Sequence, residues 1–134
     1  SISVNTSLSI LLEIDHNYIN PISDQYINEI ESAIPDYKKW NNRKRGYSSN
    51  LSTFNEYMTW AVFSLYVKEN KPSHQVDTMI DIQEKFMVES RKFIHFRAFN
   101  QELIRLYDDQ KNETGKVEIE TLYSPMLKWM ETYN

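Results

Sequence analysis

Phe54, Tyr57, Met58, Ala61, Val62, Leu65 and Tyr66 recur at spacings of three and four, the stripe an α-helix lays along one side. This predicts an amphipathic helix of about five turns. Pro72-Ser73 opens the next helix, carried by Val76, Met79, Ile80, Ile82, Phe86 and Met87. Phe99, Leu103, Leu106 and Tyr107 repeat the same spacing further on. Near the start, after a short extended piece over 1–5, residues 7–18 are apolar on nearly every side at Leu8, Ile10, Leu11, Leu12 and Ile14. A helix of that character is a buried one. Asn20-Pro21 predicts a break, because a residue before proline is pushed out of the α region. A second helix is expected over 21–33, with Ile22, Tyr26, Ile27 and Ile30 on one side and Pro35 ending it.

The remaining stretches are less periodic. Residues 36–46 are basic and polar, with Tyr37 and Trp40 as apolar anchors, and read as a short surface helix with Gly46 as its C-cap. Phe93-Ile94-His95-Phe96 fits helix or a short extended piece equally. Residues 108–116 read as a polar loop and 117–122 as extended, while Ser124-Pro125 marks the start of a terminal helix. Only Gly46 and Gly115 are available for turns that need positive φ, so tight hairpins have few places to form. Together these readings give an all-α class, a compact multi-helix arrangement over 1–134 as one domain, since 134 residues suffice for one core and not for two.

Charge narrows the partners. A net charge of −4 gives no general attraction to nucleic acid or to an anionic membrane surface. The cluster Lys38, Lys39, Arg43, Lys44, Arg45 with Tyr37, Trp40 and Tyr47 has the composition of a nucleic-acid face, yet no binding motif accompanies it, and it reads as a solvated helix. The longest apolar run, Ile10-Leu11-Leu12, falls far short of the roughly 20 residues of a membrane span. With no cysteine, any metal must be held by His, Asp or Glu. His74 and His95 read as ordinary histidines.

Leu12-Glu13-Ile14-Asp15-His16 occupies the frame H-E-x-x-H with leucine in the first histidine's place. In that frame positions i and i+4 face one way, so two imidazoles grip one zinc while the glutamate activates its water. Glu13, Asp15 and His16 in a buried helix would each need a partner. A third ligand would come from a later helix, and Asn55-Glu56 heads the strongest one. Glu56 also completes Thr53-x-x-Glu56, the pattern of a capping box at a helix start.

The chain resembles the zincin-like metallopeptidases known as domain of unknown function 4932. The matching stretches are Leu12-Glu13-Ile14-Asp15-His16-Asn17-Tyr18-Ile19-Asn20-Pro21, Gly46-Tyr47, and Asn55-Glu56-Tyr57-Met58-Thr59-Trp60-Ala61, with looser matches at Lys92-Phe93-Ile94 and Glu120-Thr121-Leu122. The resemblance implies zinc held by His16 and Glu56, Glu13 as general base, and Tyr47 as a donor to the tetrahedral intermediate. Two departures stand out. Leu12 has no lone pair to offer, and Trp60 replaces the family's arginine. The expectation is therefore a degenerate, non-catalytic metallopeptidase-like domain with a binding or structural role and no cofactor. An active enzyme completed by another ligand and an oligomerisation module are the alternatives, the module meeting a second copy or an upstream sheet that the chain itself has no room for.

Overall fold

In a computed structural model of the chain, residues 4–133 are described. They form helices and turns, and no strand occurs among them. The α-helices are α1 (Val4–Glu13), α2 (Asn20–Gln25), α3 (Ile27–Ala33), α4 (Asn50–Asn70), α5 (Ser73–Lys85), α6 (Phe96–Thr114) and α7 (Tyr123–Tyr133). Buried apolar side chains from Ile14 to Met130 make one continuous core. The all-α class follows directly.

The amphipathic stripe marks α4, but α4 is the central helix and not a surface one. It packs against α6, α5, α3, α2 and α1. Residues off the stripe, Thr59, Phe63 and Ser64, are buried as well. The polar ones are satisfied inside. Gln83 Nε2 donates to Ser64 Oγ and to the Trp60 carbonyl, both at 2.8 Å, and Thr59 Oγ1 donates to Asp15 Oδ1 at 3.1 Å.

Asn20-Pro21 does not break the chain. A π-helical turn, Ile14–Ile19, joins α1 to α2, and Asn20 keeps helical angles of φ −58° and ψ −48°. Its N–H reaches the Asp15 carbonyl, five residues back. Proline normally collides with the carbonyl four residues before it and cannot bond to it. The wider turn moves the ladder to i−5 ahead of the ring, and Pro21 falls in the first turn of α2, where its missing N–H costs little. The helix expected over 21–33 is in fact two, because Tyr26 leaves the helical region at φ −110°, ψ 18°. The extended start over 1–5 lies partly outside the described residues, and from Val4 the chain is helical.

Residues 36–46 do not form a surface helix. Only a 3₁₀ turn, Tyr37–Lys39, appears, capped by the Asp36 side chain. Trp40 then turns inward and is 1% exposed. Buried Asn41 holds the following loop to α4, donating to Thr53 Oγ1 at 2.7 Å and to the Tyr47 carbonyl at 3.1 Å. Gly46 and Tyr47 take left-handed φ of 75° and 53°, so Gly46 turns a loop and ends no helix. The polar loop expected over 108–116 is helical to Thr114. Glu69 of α4 accepts from Tyr107 at 2.7 Å and Lys111 at 2.6 Å, and Gly115 closes the helix at φ 76°. The extended piece expected over 117–122 contains a 3₁₀ turn, Ile119–Leu122. Phe93 and Phe96 are buried on either side of a turn that leads into α6.

His95 sits in the aromatic cluster around Trp40, its ring 5.2 Å from Trp40 and 5.1 Å from Tyr133. Burial pushes its imidazole below the ordinary histidine value, opposed by a backbone hydrogen bond at Lys39. The unfolded chain then binds a proton more readily than the folded one. Stability should be full above the ordinary value of about 6.5 and fall as pH drops through it toward the lowered folded value. Urea titrations at pH 7.5 and pH 5 should show this loss, and His95→Gln should reduce the difference between them. An equal difference in the variant would assign it to other groups.

Candidate functional site

The residues singled out by the motif differ in their surroundings. Leu12 is 58% exposed, and Glu13 and His16 are exposed too. The expectation that the helix is buried on nearly every side fails here: Ile10, Leu11 and Ile14 pack on the core while Leu12, Glu13 and His16 face outward. Glu13 and His16 make no hydrogen bond or ion pair among the described residues, and exposure makes none necessary. Asp15 has its partner in Thr59.

Glu56 and Tyr47 come together around a residue to which no motif points. Glu56 and Trp60 lie one turn apart on α4, and Trp60 Nε1 donates to Glu56 Oε1 at 2.7 Å. Past a second π-helical turn, Phe86–Ser90, Arg91 turns back onto this face. Its Nη1 donates to the same Glu56 oxygen at 3.0 Å, and its Nη2 to the Tyr47 hydroxyl at 3.1 Å. The guanidinium also lies 5.2 Å from the Phe93 ring, 5.3 Å from Trp60 and 5.5 Å from Tyr47. Such contacts favour a delocalised cation over a bare ammonium.

The capping box is not formed. Ser49 caps α4 by accepting from the Ser52 N–H at 3.1 Å, which places Thr53 and Glu56 inside the helix. Thr53 Oγ1 instead donates to the Tyr47 carbonyl at 3.1 Å. Burial pushes the Tyr47 phenol up, and the neighbouring Glu56 carboxylate adds to this while Arg91 opposes it. The phenol therefore keeps its proton at neutral pH and acts as donor or acceptor, never as a base. Phe86 closes the Trp60 side at 6.0 Å between rings.

This arrangement does not suit a zinc centre. A three-ligand site needs three lone-pair donors aimed at one point. Leu12 supplies none, and Glu56 spends one oxygen on two donors with a fixed positive charge 3.0 Å away. No group of three His, Asp or Glu side chains placed to hold a metal occurs among the described residues. Arg91 carried no periodic or motif signal in the sequence, and its meeting with Glu56 spans 35 positions.

No helix among the described residues is long and apolar enough to cross a membrane. Comparison of the chain with protein-family models, with curated proteins and with solved structures finds no match.

Proposed function

We propose that this chain is a non-catalytic, metallopeptidase-like helical domain whose role is binding or structural. One observation carries the reading: the carboxylate that the resemblance assigns to zinc is engaged by Arg91 and Trp60. A carboxylate so held has its charge compensated and its geometry fixed, so it braces the packing of α4 against the chain before α6. Leu12 in the first ligand's place and the exposure of Glu13 and His16 support the same conclusion.

The test is metal stoichiometry after incubation with excess zinc and desalting. The native chain should retain essentially none. Leu12→His combined with Arg91→Met restores a third donor and releases Glu56, and it should retain more zinc than either single variant. Stoichiometric zinc in the native chain that disappears in Glu56→Gln would overturn the proposal. So would peptide hydrolysis by the native chain that is abolished in Glu13→Gln.

A further inference from the structure

We propose that the notch between residues 43–45 and residues 90–92 binds a compact, multiply charged oxyanion such as a soluble pyrophosphate or phosphate ester. The notch encloses about 250 Å³ and is lined by Arg43, Lys44, Arg45, Ser90 and Lys92. That lining offers four cations and a hydroxyl, with no carboxylate. Exposed Glu89 adjoins Ser90 in sequence but does not line it. Glu56 does not line the notch, and the proposal stands whether or not the chain holds zinc.

The distribution of ion pairs singles out this surface. Lys38, Lys39, Arg43, Lys44, Arg45 and Lys92 carry none among the described residues, and of the other cations only Lys71 and Lys128 lack one. In a chain of net charge −4, carboxylates are in excess, yet none sits here. The unpaired cations are also held close by the fold. Arg43 Nη1 donates to the Arg91 carbonyl at 2.9 Å and its Nε to the Arg45 carbonyl at 3.3 Å. The Asn42 N–H donates to the Lys92 carbonyl at 2.8 Å. Lys92 itself adopts φ 68°, a left-handed conformation that a residue with a side chain takes only under constraint. The Arg43 head group and the backbone that carries the other cations are thereby held, so like charges are gathered without counter-charges and an anion relieves their repulsion on binding.

The same observations select a small ligand. A single-stranded nucleic acid needs open aromatic faces for its bases. Here the Tyr47 ring is flanked by the Arg43 and Arg91 guanidiniums at 5.2 and 5.5 Å, and Trp40 is buried. A duplex or an anionic bilayer presents a broad field of charge that would also meet the acidic remainder of the molecule. A compact anion responds only to charges within a Debye length, about 8 Å at physiological salt.

Calorimetric titration of the full chain with pyrophosphate at physiological ionic strength tests the proposal. Saturable binding at one site is expected, weakened at least tenfold by Lys44→Glu/Arg45→Glu. Lys71→Glu/Lys128→Glu changes the net charge equally and should leave the affinity within about twofold. Circular dichroism melts establish that each variant is folded, and Lys44→Gln/Arg45→Gln takes the place of the first variant should it unfold. Absence of saturable binding, or an equal loss in the control, would overturn the proposal. Binding to phosphatidylserine vesicles or to an oligonucleotide without binding of pyrophosphate would do the same.

Discussion

Trp40→Ala should lower the stability of this domain by about 3–5 kcal/mol, the range for truncating a large buried aromatic. Trp40 is 1% exposed, and its ring meets Tyr57 at 5.6 Å, His95 at 5.2 Å, Trp129 at 6.3 Å and Tyr133 at 5.9 Å. These partners come from α4, from the turn before α6 and from α7, so one side chain joins elements from across the sequence. Its backbone contributes as well, because the buried Tyr57 hydroxyl donates to the Trp40 carbonyl and accepts from the His95 N–H at 3.2 Å. Removing the indole leaves a cavity at this junction and loosens the geometry of that hydrogen bond. In thermal unfolding the loss corresponds to roughly 10–20 °C, and Trp40→Phe should recover part of it. A change under about 1 kcal/mol in Trp40→Ala would show that the loop around residue 40 is not seated in the core.

Arg91→Ala is expected to cost about 2–4 kcal/mol. The ion pair with Glu56 is largely enclosed, with the two side chains 17% and 16% exposed. Deleting one partner of such a pair leaves the other charge with incomplete compensation in a poorly solvated place. The loss also removes the Tyr47 hydrogen bond and three ring contacts. Arg91→Lys keeps the charge but cannot span Glu56 and Tyr47 with a planar fork, so it should recover less than half of the loss. Urea unfolding of Arg91→Ala, Glu56→Gln and the double variant closes a cycle. A coupling of about 1–3 kcal/mol is expected for groups in direct contact. Additive effects would mean that Arg91 stabilises the domain through its ring contacts alone, and the proposed engagement of Glu56 would lose its energetic basis.

These two residues show where sequence reasoning succeeds and where it stops. Trp40 is recognisable as an apolar anchor from its setting among Lys38, Lys39, Arg43 and Lys44. Its depth is not, because a lone aromatic in a polar stretch carries no period. Glu56 was legible as a residue with a role, with cap and metal ligand as competing readings. The cap reading fails, since Ser49 caps the helix, and the cation that meets the carboxylate lies on another element. Leu12 followed the opposite course. A run of apolar residues suggested burial, yet Leu12 lies on the side of the helix away from α4, while Ile10, Leu11 and Ile14 pack on the core.

By itself the sequence determined the all-α class and the existence of α4, α5, α6 and α7. All of these depend on local spacing or on side-chain chemistry, which the chain states residue by residue. Tertiary structure alone decided that α4 is central and that α1 passes through Pro21 into α2. It also carried α6 on to Gly115, paired Glu56 with Arg91, and gathered residues 43–45 and Lys92 into one notch. Each of these is a long-range contact or its consequence. Packing and ion pairing across the fold outweigh local propensities of a few tenths of a kcal/mol per residue, so no local pattern encodes them.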